Sequence, residues 1–169
     1  TGITRAINIE DGPSMVDMVI SSVISNTTAT GLTKTGAGTL QFSGGASNTY
    51  SGLTTVSAGT LSLAKTGAFN AIGAGGLLIS GTGVVNYDVA GTDEIANGAT
   101  VTVAGGTLNF NNIADTIGAL VFNSGTVNAP LSTTLTLANT GVNALTLGTA
   151  SGGAAVTLTG NLALTGASG

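Results

Sequence analysis

A five-residue unit, Gly-x-apolar-x-apolar, recurs along the sequence at intervals of 17 to 24 residues. In an extended strand, side chains two positions apart share one face, so both apolar residues of a unit point the same way. A single coil, meaning one circuit of the chain around a common axis, cannot bury that face alone. Stacked coils can, and repeats of this length are typical of solenoid proteins. The units begin at Gly38, Gly59, Gly83, Gly106, Gly125, Asn143 and Gly160.

A second series of short apolar segments recurs at similar intervals, one segment for each unit of the first series, so each repeat contains two or three short strands. Helical repeats of similar length need helix-forming residues, but here Glu, Lys, Gln and Arg are scarce and Gly and Thr separate the apolar positions. The pattern predicts an all-β parallel β-helix of about seven or eight coils over residues 31–169. The second series comprises residues 32–34, 54–56, 77–79, 101–103, 120–122, 135–137 and 156–158.

The repeat also gives local expectations. Residues 1–30 are less regular and predict an N-terminal lead-in, with a strand at 7–9 and two short strands between Met15 and Ile24. We expect the unit-opening glycines at corners, with positive φ or a close approach between coils. Residues 64–74 and 88–98 are expected to be corner loops, and the uncapped end at 160–169 predicts a segment of a longer chain. Four asparagines could form ladders between coils or simply face solvent: Asn86, Asn109, Asn128 and Asn161.

The composition restricts the possible partners. Charged residues make up only 6% of the 169 residues, and the net charge is −4, with Arg5, Lys34 and Lys65 as the only basic side chains. Binding to nucleic acid or to anionic lipid needs clustered basic residues, so we expect neither. No apolar run approaches the roughly 20 residues of a membrane-spanning helix. The absence of Cys excludes disulfides and thiolate metal sites.

One segment is similar to a known repeat family. Residues 31–40 read Gly-Leu-Thr-Lys-Thr-Gly-Ala-Gly-Thr-Leu, residues 48–52 read Asn-Thr-Tyr-Ser-Gly, and residues 54–61 read Thr-Thr-Val-Ser-Ala-Gly-Thr-Leu. This string resembles the passenger-associated transport repeat of bacterial autotransporters, although Leu53 stands where the family usually has Gly. The resemblance implies a right-handed parallel β-helix in a secreted or cell-surface bacterial protein. It also implies a part in the translocation and folding of a large passenger, without an active site.

We therefore expect a structural or adhesive segment of a large bacterial surface protein, acting as a stalk or as an assembling fibre. We expect no enzyme activity, no catalytic residue and no cofactor. The expected partners are further copies of the chain, joined end to end, or a ligand on a host or neighbouring cell. Two alternatives stay open. One is a carbohydrate-active β-helix, such as a polysaccharide lyase or a tailspike-like depolymerase, and the other is a glycan-binding adhesin module.

Acidic residues are the main candidates for a binding or catalytic site. Asp88, Asp93 and Glu94 fall in one predicted corner loop and could offer Ca²⁺ the hard oxygen ligands that it prefers. Their spacing matches neither an EF-hand loop nor a calcium β-roll, so a solvated loop is the simpler interpretation. Glycoside hydrolysis needs two carboxyl groups about 5–10 Å apart. Asp88 or Asp93 could meet Asp115 on adjacent coils, but the sequence has no His and few aromatic residues to hold a sugar.

The lysines and aromatic residues have simpler predicted roles. We expect Lys34 and Lys65 at strand edges or corners, where their charges keep the rod soluble. Tyr50 matches the repeat motif and is expected to pack rather than to contact a ligand. A partial aromatic stack inside the solenoid is predicted from one position of the repeat, which holds Phe42, Tyr87 and Phe110.

Overall fold

The structure, a computed structural model, describes residues 3–88, 91, 93–130, 133–138, 144–148, 158–159 and 161–164. These residues form strands and turns, and no helix among them is long and apolar enough to cross a membrane. The strands are β1 (Thr4–Asn8), β2 (Met18–Ile20), β3 (Gly31–Thr35), β4 (Thr39–Gly44), β5 (Thr54–Val56), β6 (Thr60–Lys65), β7 (Leu77–Ser80), β8 (Val84–Tyr87), β9 (Thr100–Asn109), β10 (Asp115–Ile117), β11 (Ala119–Asn128), β12 (Thr134–Leu137), β13 (Leu145–Leu147), β14 (Leu158–Thr159) and β15 (Asn161–Leu164).

The first predicted series of apolar units forms one side of a parallel β-solenoid. Strands β2, β4, β6 and β8 pair in sequence, each parallel to the next, and the last part of β9 and then of β11 continues the side. The inward residues stand in register and are at most 1% exposed. This confirms the predicted stacking of coils. The column contains Leu40, Leu61, Val85, Leu108 and Val127.

The second series forms a second side, in the order β1, β3, β5, β7, the first part of β9, the first part of β11, and β13. The ten-residue strands β9 and β11 cross both sides, with irregular register in the middle, where earlier coils have a turn. The lead-in at 1–30 supplies β1 and β2, which pair with β3 and β4. Between Met15 and Ile24 there is one strand rather than the two predicted.

The solenoid has about five coils, fewer than the seven or eight predicted. The predicted count is too high because the C-terminal apolar pairs lie on different sides of the solenoid and are not successive levels of one stack. Leu135 pairs with Asp115, and Leu162 pairs with Leu135, in a separate sheet formed by β10, β12 and β15. Leu145 instead pairs with Leu120 on the second side. Four residues of the predicted series lie outside the described part of the chain, namely Asn143, Val156, Thr157 and Gly160.

This third side begins before β10, inside segments that were predicted to be corner loops. Ile72 and Ile95 form an isolated parallel bridge and are both 0% exposed. The backbone amides of Ala71 and Ile72 donate to the carbonyl of Glu94, so the two segments stack directly. Residues 64–74 and 88–98 therefore enter the core in part, and they carry acidic residues into it.

The corner glycines behave as predicted. Gly59 has a φ of 62°, a backbone conformation that residues other than glycine rarely adopt. Gly83 has no such φ, but a Cβ at this position would collide with the carbonyl oxygen of Val56 in the preceding coil. Glycine thus serves two purposes at one corner: it allows the turn and it allows the coils to approach closely.

Candidate functional site

A group of ionisable side chains lies inside the solenoid where the third side begins. We name Lys65, Tyr87, Asp93, Glu94 and Asp115 the buried cluster. Lys65, Tyr87 and Glu94 are 0% exposed, Asp115 is 2% exposed, and Asp93 is half-buried. Acidic and basic side chains are rarely enclosed to this extent unless they are paired. The cluster is therefore the part of the described chain with the most unusual chemistry.

Strand alternation carries these side chains inward. Lys65 ends β6, two residues after the inward Leu63 and on the same face. Tyr87 ends β8 and stands in register with Leu63. Asp115 begins β10 and shares its face with the buried Ile117. The local structure that buries aliphatic residues elsewhere in the repeat thus buries polar residues here.

Asp115 is the best-connected member of the cluster. Its Oδ2 accepts hydrogen bonds from the Tyr87 hydroxyl at 2.7 Å and from the Ile95 amide at 3.1 Å, and its Oδ1 accepts one from the Thr116 amide at 2.7 Å. Burial raises the pKa of Asp115 to about 7, although these hydrogen bonds oppose the rise. Burial and the neighbouring Asp115 also raise the pKa of Tyr87 well above 10, so the phenol remains a donor at neutral pH.

Glu94 and Lys65 lack such connections. The two oxygens of the Glu94 carboxyl have no hydrogen-bond partner, and the Nζ of Lys65 has none either. Burial raises the pKa of Glu94 to about 8, an effect that the nearby backbone of Lys65 only partly offsets. Burial likewise lowers the pKa of Lys65, against the opposing charge of Glu94. Both groups are therefore shifted toward their neutral forms.

A surface cleft of about 340 Å³ opens beside the buried cluster. Its lining includes Asn112, Asp115, Thr116, Thr134 and Thr136. Gly91 also lines the cleft, and a Cβ on this glycine would lie 2.6 Å from Glu94 Oε1. A side chain at residue 91 would therefore collide with the Glu94 carboxyl and with the backbone of Lys65.

The three residues considered for Ca²⁺ do not converge. Asp88 is exposed and lies 3.5 Å from the Asn111 amide nitrogen, whereas Glu94 is enclosed in the core. Across the described ranges, no three Asp or Glu side chains are placed to hold a metal ion. Asp93 and Asp115 make no direct hydrogen bond in the described part of the chain, although the charge of Asp93 adds slightly to the burial that raises the pKa of Asp115.

The comparisons with known proteins bear on the first coils. Residues 32–63 match the family model of the passenger-associated transport repeat. The chain carries a passenger-associated transport repeat. No curated protein and no solved structure matches the chain. The repeat extends from β3 through β6 and so covers two successive levels of both main sides. Together with the parallel solenoid, it fits a segment of an autotransporter passenger.

The two lysines in and beside the passenger-associated transport repeat are core residues, so their prediction as surface charges was wrong. Lys34 is 2% exposed, and its Nζ donates to the carbonyls of Thr35, Gly36 and Ala58 at 2.9, 2.9 and 3.1 Å. Lys65 is 0% exposed. The sequence contained the signal, because each lysine follows an inward leucine by two positions.

Tyr50, within the repeat, packs as predicted. It is 2% exposed, and its hydroxyl lies 2.6 Å from the Thr54 hydroxyl. The predicted aromatic stack is smaller than expected. The rings of Tyr87 and Phe110 are tilted by 34° with centroids 4.8 Å apart, but Leu63 separates Phe42 from Tyr87 in the column.

The predicted asparagine ladder exists on the outer surface after the repeat. Asn128 donates to Asn109 at 2.7 Å, and Asn109 donates to Asn86 at 2.8 Å. Asn161 belongs to β15 in the third-side sheet and pairs in register with Thr134, so it stands outside this ladder. The ladder joins three successive coils through uncharged groups.

Proposed function

We propose that the chain is a non-catalytic structural segment of a secreted or cell-surface bacterial β-solenoid protein, where it acts as a stalk. The observation that carries the proposal is the continuous in-register column from Leu40 to Val127, inside an outer surface of small uncharged residues. Such a stack can be extended coil by coil at nearly constant cross-section. The passenger-associated transport repeat at its start supports the surface location.

The state of the carboxyl groups supports a non-catalytic role. Hydrolysis of a polysaccharide needs two carboxyls that reach the scissile bond. Asp115 and Glu94 are at most 2% exposed, and both oxygens of Asp115 already accept hydrogen bonds within the protein. A substrate in the cleft would meet at most the edge of Asp115.

The cleft favours one second candidate, which is glycan binding by an adhesive segment. Its walls include Thr116, Thr134 and Thr136. Threonine hydroxyls can exchange hydrogen bonds with the hydroxyls of a saccharide, and an uncharged saccharide needs no basic residue.

A surface-display experiment tests the stalk. The chain is placed between a membrane anchor and a fluorescent reporter, and the distance from reporter to membrane is measured by energy transfer to a dye in the lipid. At 4.8 Å per coil, about five coils should move the reporter outward by ~24 Å relative to a direct fusion. Leu61→Asp, which places a charge in the column, should abolish this spacing. A reporter that stays at the membrane with the intact chain would contradict the proposal.

Two further measurements separate the other functions. Thr134→Val keeps the shape of the side chain but removes its hydroxyl, so it should weaken saccharide binding on a glycan array if the cleft is the site. Unchanged binding would place the ligand elsewhere. Light scattering at high concentration tests end-to-end assembly, since a strictly single-chain mass would argue against the fibre form.

A further inference from the structure

Arg5 is the one basic side chain of the protein that can meet an anion from solvent. The sequence contains three basic residues, and two of them are enclosed, since Lys34 is 2% exposed and Lys65 is 0% exposed. Arg5 is exposed on β1, and no carboxyl group in the described part of the chain forms an ion pair with it. A guanidinium is always charged and carries five donors in a planar fork, so this group is free to bind an acid.

Arg5 lines a cavity of about 540 Å³ between β1 and the loop of residues 24–30. This volume lies within the range of about 300–1,000 Å³ that is usual for small-molecule sites. Arg5 pairs in register with Leu32, which also lines the cavity, as do Ile3 and Ile24. Among the described residues, no Asp or Glu belongs to this lining. The guanidinium therefore shares one space with apolar side chains and has no acidic partner there.

The loop of residues 24–30 supplies most of the lining and is fixed to the passenger-associated transport repeat. The Ile24 amide donates a hydrogen bond to Asn48 Oδ1 at 2.9 Å. The Ile24 carbonyl accepts hydrogen bonds from the amides of Thr49 and Tyr50 at 2.9 and 3.3 Å. A wall that is held in place before a ligand arrives lowers the entropic cost of binding.

The same loop carries uncharged polar groups. Ser25, Thr27 and Thr28 are exposed and belong to the lining. Within the described ranges, no residue forms a hydrogen bond with the hydroxyls of these three side chains. Each hydroxyl can donate one hydrogen bond and accept two. A matching ligand therefore combines a carboxylate for the guanidinium, hydroxyls for the loop and a ring with apolar faces for the aliphatic lining.

We propose that this cavity binds a uronic acid residue of an acidic saccharide. The sugar carboxylate accepts two parallel hydrogen bonds from the Arg5 guanidinium, and the sugar hydroxyls exchange hydrogen bonds with the loop. The C-terminal carboxylate of a peptide offers the same charge but no set of hydroxyls to match the loop. The site is separate from the cleft beside the buried cluster and does not depend on the role of the chain as a stalk.

The single arginine makes the site directly observable by nuclear magnetic resonance. In a nitrogen–proton correlation spectrum, Arg5 gives the only arginine Nε–H signal of the protein. Titration with digalacturonate should shift this signal along a saturable curve. The dimethyl ester of digalacturonate, which lacks the charge, should leave the signal in place. N-acetyl-leucine, a carboxylate of the peptide type, should cause no saturable shift over the same concentrations.

Three variants assign the contacts, with affinity for digalacturonate measured by calorimetry and folding checked by circular dichroism. Arg5→Gln removes the charge of an exposed side chain and should weaken binding by about tenfold or more. Thr28→Val removes one loop hydroxyl and should weaken binding by about threefold. Thr134→Val, in the other cleft, is the matched control and should bind as the wild-type protein does.

Equal affinities of the wild-type protein and Arg5→Gln for digalacturonate would overturn the proposal, as would an equal shift of the Arg5 signal with the dimethyl ester. Binding of N-acetyl-leucine as tight as that of digalacturonate would also overturn it, because the cavity would then recognise a carboxylate and not a sugar. Weaker binding in Thr134→Val together with unchanged binding in Arg5→Gln would place the acidic saccharide in the other cleft.

Discussion

Asp115 makes the stability of the solenoid depend on pH, in the direction opposite to ordinary acid denaturation. Burial raises the pKa of this carboxyl from 3.8 to about 7 in the folded protein. Between these two values the folded chain keeps a proton that the unfolded chain has released. Since stability falls with rising pH wherever the folded state binds more protons, the contribution of Asp115 is fully present below pH 4 and is lost as the pH rises through 7.

The magnitude follows from the difference between the two pKa values. About three pH units, at 1.36 kcal/mol each, amount to ~4 kcal/mol over the whole range. Rather more than half of this, about 2–3 kcal/mol, falls between pH 5 and pH 8. Glu94 acts in the same direction, because burial raises its pKa to about 8. Lys65, with its lowered pKa, acts in the opposite direction.

The substitution Asp115→Asn isolates the first of these contributions. Its amide cannot titrate, so the loss of stability between pH 5 and pH 8 should be about 2–3 kcal/mol smaller than in the wild-type protein. Because one amide oxygen cannot serve the three donors from Tyr87, Ile95 and Thr116, the variant should also be less stable at pH 5 by about 1–3 kcal/mol.

Urea unfolding followed by far-UV circular dichroism at pH 5 and pH 8 gives both quantities. The exposed Asp88 supplies the control, since Asp88→Asn should keep the pH dependence of the wild-type protein. Equal losses of stability in the wild-type protein and in Asp115→Asn would show that Asp115 does not titrate in this range, and the reasoning from burial would fail.

Three substitutions, two of them with a matched control, test the packing of the stack by their urea midpoints. Leu61→Ala, at a 0% exposed column position, should destabilise the protein by about 2–5 kcal/mol, whereas Leu53→Ala, at 44% exposure, should change the free energy of unfolding by about 0.5 kcal/mol or less. Gly83→Ala should cost at least 1 kcal/mol because its Cβ meets a carbonyl of the preceding coil, while Gly98→Ala has no atom within 4 Å and should be tolerated. Asn109→Ala removes the central amide of the ladder and should cost about 1 kcal/mol. Equal effects within a pair, or a neutral Asn109→Ala, would contradict the assigned contacts.

The regular part of the fold was predictable because one local rule generates it. Alternation within each strand and a repeat near 20 residues specify both the inward column and its parallel stacking, as the register of Leu40 and Leu61 shows. After Val127 the same rule becomes ambiguous. An apolar pair such as Leu135 and Leu137 fits any side of the solenoid, and only the length of the connecting corner decides which side it joins.

The candidate site was predictable only in part, because a charged residue in a sequence is ordinarily expected at the surface, whereas here several are buried. The sequence suggested that Asp88 or Asp93 could meet Asp115 on adjacent coils, and it gave no sign that Asp115 is enclosed and bound by Tyr87. Lys65 and Glu94 were assigned to corners, although Leu63 and Ile95 beside them are core residues. Their burial depends on the third side, which consists of single bridges and short segments, too short to show a period of two.

The same geometry explains why the ionisable residues gather in one region rather than along the whole stack. A parallel solenoid repeats its cross-section, so an inward charge in every coil would stack like charges at the 4.8 Å spacing of strands. The described coils instead hold Lys34 alone, bound by carbonyls, and place the remaining inward charges where Tyr87 and the third side supply donors. One local exception can be stabilised by hydrogen bonds, as Asp115 is by Tyr87, Ile95 and Thr116. A continuous column of buried charges could not be stabilised in this way. Buried ionisable side chains are therefore restricted to single positions in a stack of this kind.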